Sequence, residues 1–370
     1  MIMKKYLLIA AAFASTISAT AQLKPIGSWT DHLPLQTGTS IASDGTLIYA
    51  GTETGIFTYN TEDNSLEKYT KVNLLNDVST SKLAYSTLNQ TLIIVYDNAN
   101  IDLLKNGQIV NIPFIQLSNE LKDINEIKII GNLAYLSMAY GITVVNLERQ
   151  EIVDTYKFGP SGTAINVNSV DQVNNTLYAA TNNGIFFADI TLNLLDFNNW
   201  SKLPVKTNST VSSAWEQNNA INFIFRESGA KDSILSFNGT TFTVRQDIAE
   251  FDFASISEIE NDQYILTTNS NTYILNNDGG INLNLSRNGS GSLGSTSAGQ
   301  RLFEITRFAP LVEINRNDGS TVANYKPNGP ITASVFDMDA KGGNLWVVNG
   351  AIDGTYNNRF ELARVSQFDG

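Results

Sequence analysis

Tyr49-Ala50-Gly51-Thr52-Glu53-Thr54-Gly55-Ile56-Phe57 aligns without a gap on Tyr178-Ala179-Ala180-Thr181-Asn182-Asn183-Gly184-Ile185-Phe186. Between them stands Tyr135-Leu136-Ser137-Met138-Ala139-Tyr140-Gly141-Ile142-Thr143. The three leading tyrosines lie 86 and 43 residues apart, two periods and one. Each copy reads as a short apolar strand, a tight turn, and a glycine that opens a second apolar strand. Such a glycine suits a hairpin position with φ > 0, where a side chain is costly. In weaker copies the slot holds Asn100, 45 residues after Gly55, and Asn271, 87 after Gly184. Asparagine is the residue such a turn accepts in place of glycine.

Extending the frame adds strands at Ile221–Phe225, Tyr264–Leu266, Leu302–Ile305 and Leu345–Val348, which makes eight copies. Each copy carries three or four strands, separated by turns such as Asn276-Asn277-Asp278-Gly279 and Asn317-Asp318-Gly319. No helical 3.6-residue period persists after the N-terminal segment. A unit of ~40–45 residues with four short strands is the pattern of a propeller blade. One blade cannot bury both faces of its sheet, so blades stack around an axis and bury each other. The expected fold is therefore all-β: a β-propeller of four-stranded blades, seven or eight in number. A β-sandwich does not repeat at a fixed period eight times, and β-helix rungs are shorter.

Closure of the ring is expected from the N-terminus. Trp29-Thr30-Asp31-His32-Leu33-Pro34 resembles Trp200-Ser201-Lys202-Leu203-Pro204, 171 residues later and close to four periods. Residues 27–32 thus read as an orphan outer strand pairing with a late blade, which would remove an exposed edge. Near the C-terminus, Val365-Ser366-Gln367-Phe368-Asp369-Gly370 resembles Ile234-Leu235-Ser236-Phe237-Asn238-Gly239, which leads into an outer strand at Thr241-Phe242-Thr243. The expectation is a chain truncated before that last strand. Lys326-Pro327-Asn328-Gly329-Pro330 resists strand continuation and marks a boundary. The propeller is placed at 22–325. Residues 326–370 are either its last blade or the start of a second propeller, and seven blades plus a stub is the favoured count.

Residues 1–21 read as a secretory signal peptide: basic Lys4-Lys5, an apolar run from Tyr6 to Ser18, and Ala19-Thr20-Ala21 before the cleavage point. That run is too short to span ~30 Å of hydrocarbon. Net charge is −12, or −14 once the leader with its two lysines is removed. Such an acidic body disfavours binding to nucleic acid, or to anionic headgroups by charge alone. Cysteine is absent, which excludes disulfides, thiolate metal sites and a lipoprotein cysteine.

No catalytic, cofactor-binding or metal-binding residue is assigned, and no cofactor is expected. His32 is the sole histidine, so any triad or histidine metal cluster would have to use it. Beside Trp29 and Leu33 it reads as a strand-edge side chain. Glu62-Asp63, Asp97, Asp278 and Asp318 fall in turns, where carboxylates bend and cap the backbone. No motif pairs two acids for glycoside hydrolysis, and no calcium loop is present. Phe158-Gly159-Pro160-Ser161-Gly162 and the stretch from Asn288 to Gly294 lack the Gly-Lys-Ser/Thr of a phosphate loop. Asp232-Ser233-Ile234 has the form of a Bacteroidetes-type O-glycosylation acceptor.

Val335-Phe336-Asp337-Met338 followed by Gly343-Asn344-Leu345-Trp346-Val347 resembles the strand pair of two-component-regulator-type propeller repeats. The signal peptide, the Trp29-x-x-His32 opening, the Tyr49/Gly55-Ile56-Phe57 blade and the Lys326–Pro330 boundary together resemble the PorZ-like surface component of the Bacteroidetes type IX secretion system. The resemblance implies two propellers followed by a C-terminal β-sandwich, at the outer face of the outer membrane without spanning it, and no enzymatic activity. It also implies partnership with PorU, a sortase-like transpeptidase, in linking secreted cargo to anionic lipopolysaccharide. Two alternatives stand beside it. One is a periplasmic sensor propeller of a hybrid two-component regulator; the other is a polysaccharide-active propeller enzyme, which the lone histidine disfavours.

Overall fold

The computed structural model describes residues 31–369, except 208, 227–230, 249–252, 260–262, 279, 288, 331–334, 343, 351, 354, 359 and 361–363. The leader and Trp29 lie outside the described residues. Asp31 and His32, which end a separate N-terminal unit, carry no strand. The pairing expected for 27–32 therefore falls almost wholly outside the described residues.

From Leu33 onward the chain forms eight antiparallel sheets, each built from consecutive strands. Blade one is Gly38–Ser43, Leu47–Thr52, Gly55–Asn60 and Leu66–Tyr69, ordered from the axis outward. Blades two to seven repeat this plan over residues 80–112, 124–156, 167–202, 210–248, 253–286 and 292–325. As expected for four-stranded blades, each of these seven sheets supplies its own fourth strand. Blade four's is only Ser201–Lys202, directly after Trp200. Trp200 is buried against blade three, stacked on Phe158 with ring centroids 3.9 Å apart, and its Nε1 donates to the Leu194 carbonyl at 3.0 Å. Among the described residues the longest helix, Phe114–Leu117, is a single turn.

Seven apolar clusters hold these blades together, one at each junction. The cluster that closes the ring joins Ile48, Ala50, Phe57 and Tyr59 of blade one to Phe303, Ile305 and Leu311 of blade seven. Because a neighbour covers each face, the second strands are apolar throughout instead of alternating. Thr91–Tyr96 is buried at every position. Each fully buried Leu, Ile or Val in such a strand contributes about 1.5–3 kcal/mol relative to exposure.

The recurrent glycine has a second cause beside backbone conformation. Gly55 and Gly141 take φ of +146° and +148°. A Cβ on Gly55 would sit 2.7 Å from the Tyr69 carbonyl oxygen, and one on Gly141 would collide with that of Tyr156. The outer strand thus packs directly on the turn. Asn100 and Asn271 do not take φ > 0, contrary to expectation. In blade two the left-handed residue is Ala99 (φ +61°), whose N–H donates to the Tyr96 carbonyl at 2.8 Å.

Among the described residues the eighth sheet, Val335–Lys341, Asn344–Asn349 and Arg364–Asp369, has three strands and shares none of the seven clusters. Val335, Phe336, Met338, Trp346, Val348 and Val365 are exposed on it. Truncation after Pro330 is therefore expected to leave the ring's stability within about 0.5 kcal/mol of the parent, the range of changes that remove no core contact. Urea denaturation checks this; loss of cooperative unfolding would show that the eighth sheet is part of the ring.

Candidate functional site: the central channel

Every inner strand carries a β-bulge at the same place. The register shifts between Gly38 and Ser40, Thr80 and Lys82, Ile124 and Glu126, and at the equivalent residues of blades four to seven. A bulge sharpens the local twist and re-aims the following side chain. Here the following residues are Ser40, Lys82, Glu126, Ser169, Ser213, Ser255 and Gly294.

Much of this layer laces one blade to the next. Ser40 Oγ accepts the Leu83 N–H at 2.9 Å, and Ser169 Oγ accepts that of Ala214 at 3.0 Å. Two residues further on, Asp171 Oδ2 accepts the Glu216 N–H at 2.8 Å. At the bulges themselves, Asn125 and Asn168 donate to the carbonyls of Val167 and Val211, at 2.6 and 2.8 Å. The partners are 42–45 residues apart, so the sequence period is also the step of this hydrogen bonding.

Inside the ring is a cavity of about 800 Å³ to which all seven blades contribute, among them Ser40, Lys82, Glu126, Asn168, Ser213, Ser255 and Gly294. Lys128 lines it too and pairs with buried Asp171 at 2.6 Å. The Lys128 side chain is 24% exposed and lines the channel. Burial is the largest single influence and opposes its charge, but Asp171, Tyr264 and Glu126 together outweigh it and hold the ammonium above the ordinary lysine value. Lys82 is shifted the other way: burial lowers it, and Glu126 only partly offsets this. Burial pushes the Glu126 carboxyl up to about 7, against the pull of Ser169 and Lys128. Among the described residues Glu126 Oε2 and Ser255 Oγ are buried with no hydrogen-bond partner.

None of these channel residues was singled out from the sequence. Stacking the inner strands at the 42–45 residue step would have exposed Lys82 and Glu126 as the charged members of a serine layer. The turn acids behave as read: Asp63 and Asp318 accept the N–H groups of Ser65 and Ser320, each at 2.9 Å. Ser233 is 7% exposed within the strand Asp232–Phe237. Its hydroxyl is not presented to a glycosyltransferase, so the acceptor reading of Asp232-Ser233-Ile234 is not supported.

A closed ring of seven four-stranded meanders around a polar channel defines a seven-bladed β-propeller. Residues 48–201, from blade one into blade four, match the family model of the N-terminal β-propeller domain of PorZ of the type IX secretion system. The resemblance read from the sequence thus holds over this stretch. A similar solved structure is PorZ itself, described as an essential bacterial surface component of the type IX secretion system of Porphyromonas gingivalis. It is 19% identical with a TM-score of 0.76, over 93% of this chain and 45% of that one. Raptor of Chaetomium thermophilum is 11% identical with a TM-score of 0.59, over 80% of this chain and 28% of its own. The computationally designed protein Ika8 is 9% identical with a TM-score of 0.52, over 85% and 93%. At these identities the likeness is one of fold. The chain spans less than half of the PorZ chain it matches. No curated protein sequence matches it.

Proposed function

We propose that this chain is a PorZ-like, non-enzymatic surface component of a type IX secretion system. In this reading it is exported through residues 1–21 and works at the outer face of the outer membrane, assisting a sortase-like transpeptidase in joining secreted cargo to anionic lipopolysaccharide. The match of residues 48–201 to the PorZ propeller model carries the reading. A rigid ring with loops at both rims suits a platform that holds partners in register. The charge of −12 adds a constraint: contact with an anionic glycolipid must come from discrete cationic sites, because the body as a whole repels it. Residues 326–370 form a separate unit in this proposal, one that packs against strands outside the ring; the exposed apolar side chains of the eighth sheet support this.

Deleting the gene in its source bacterium tests the function. Type IX cargo is expected to lose its surface attachment, with recovery on complementation, and the transpeptidase is expected to co-purify with the tagged chain. Unchanged cargo attachment in the deletion strain would overturn the proposal.

A further inference from the structure

The channel holds a cation that the architecture of the ring does not explain. In the post-bulge layer, Ser40 and Ser169 accept a backbone N–H from the next blade. A lysine has three donors and no acceptor, so Lys82 cannot take part in that lacing. Its burial costs free energy that an apolar or hydroxyl side chain would not incur. The other two cations lining the channel have carboxylates close by: Lys128 with Asp171 at 2.6 Å, and Arg226 with Asp232 at 3.8 Å. Among the described residues Lys82 has no carboxylate within 4.0 Å and no side-chain hydrogen bond.

Other unmet groups share its layer. Among the described residues Ser255 Oγ and Glu126 Oε2 are buried without hydrogen-bond partners and line the same cavity. The Glu126 oxygen is an acceptor and calls for a donor, so the anion site rests on the serine and lysine side chains alone. The same layer carries the hydroxyls of Ser40, Ser213 and Ser255 on other blades of the ring, all possible donors to an incoming oxygen. Gly294 completes it without a side chain. A Cβ there would lie 3.3 Å from Ser255 Oγ, so the glycine leaves that hydroxyl open. Lys82, the serine hydroxyls and a cavity of about 800 Å³ describe a pocket for something small, anionic and rich in acceptor oxygens.

We propose that the central channel binds a small oxyanion, a carboxylate or a phosphate, on Lys82 with the hydroxyls of Ser40, Ser213 and Ser255 around it. The ammonium supplies charge-assisted hydrogen bonds, the stronger kind, from the wall of the channel. The site lies on the axis, away from the rims where a macromolecule would dock, and it does not depend on the secretion role proposed above.

Isothermal titration of the whole chain with sodium phosphate, acetate and glucuronate tests this, with sodium chloride at matched ionic strength as the reference. At least one oxyanion is expected to bind saturably at one site per chain. Lys82→Met should weaken it at least about tenfold, as loss of a charge-assisted contact does, and Lys341→Met on the exposed eighth sheet should not. Binding of acetate and glucuronate alone would mark a carboxylate site, and of phosphate alone a phosphate site; either supports the proposal. Equal affinity in Lys82→Met, or no saturable binding of any of the three, overturns it. Should Lys82→Met fail to fold, amine labelling of the parent read by mass spectrometry gives the same decision. The oxyanion that binds must protect Lys82 and leave Lys341 unprotected, and unchanged labelling of Lys82 refutes the site.

Discussion

Arg301→Ala is expected to destabilise the ring by about 2–4 kcal/mol, by opening the junction between its first and last blades. Arg301 stands on the second strand of blade seven and grips Glu313 through two parallel bonds: Nε to Oε1 at 2.9 Å and Nη2 to Oε2 at 2.8 Å. The same guanidinium crosses to blade one, donating to the Thr61 carbonyl at 3.0 Å and to the Tyr59 hydroxyl at 2.9 Å. It also lies over the Tyr59 and Phe303 rings, 5.4 and 5.1 Å from their centroids. Tyr325 stacks on Tyr59 at 3.9 Å and donates to Glu313 Oε2 at 2.6 Å. Removing the guanidinium strands Glu313, whose side chain is only 12% exposed. Breaking a fully buried pair costs about 3–5 kcal/mol; Arg301 itself is 31% exposed, so solvent screening brings the figure down.

Denaturant unfolding measures the effect, and a loss under about 0.5 kcal/mol, typical of a surface change, would sink the argument. Arg301→Lys should fall between, since it keeps the charge and loses the fork. The seam is also acid-sensitive. The Arg301 hydrogen bonds hold the Glu313 carboxyl below its ordinary value near 4.5. Its stabilisation is therefore complete above that value and is lost as pH falls through the depressed one. Arg301→Ala should remove this part of the acid sensitivity.

The second prediction runs the other way with pH. Burial first, then the Asp171 charge, pushes the Glu126 carboxyl up to about 7 from 4.5, against Ser169 and Lys128. Between those values the folded chain holds a proton that the unfolded chain has released. Stability from this group therefore falls as pH rises through the window and levels off above about 7. Glu126→Gln removes the titration. Relative to the parent it should be near neutral at pH 4.5 and more stable at pH 8 by on the order of 1–3 kcal/mol, the lower end applying where channel water solvates the carboxylate. The parent-to-variant difference isolates this residue from the acids with depressed values, whose slope has the opposite sign. A difference that does not change between those two pH values would refute the assignment. Lys82, Lys128 and Asp171 face the same group, so Lys82→Met should raise the Glu126 value further.

The sequence alone determined the class of fold, because the blade is a local object. Strand, two-residue turn, glycine and strand all lie within the nine residues of Tyr49–Phe57, and recurrence at 43 and 86 residues states that the unit is copied. The glycine was legible; its full cause was not, because the carbonyl that crowds Gly55 belongs to Tyr69, on the outer strand. The two asparagine substitutes failed for a related reason. Turn chemistry depends on loop length, and blade two moved its left-handed residue to Ala99.

Only the tertiary structure decided how many blades close the ring and what fills its centre. Seven or eight copies satisfy the same local pattern, and the count follows from whether Phe57 and Tyr59 meet Phe303 across the seam, more than 240 residues away. The channel was hidden for the same physical reason. Lys82, Glu126 and Ser255 stand on different blades, each an unremarked polar residue in its own strand. Seven bulges at one register bring them onto a single axis, and enclosure by the ring then shifts the charges and leaves the donors unmet. Local periodicity carries the unit; desolvation and charge coupling exist only once the units surround a common space.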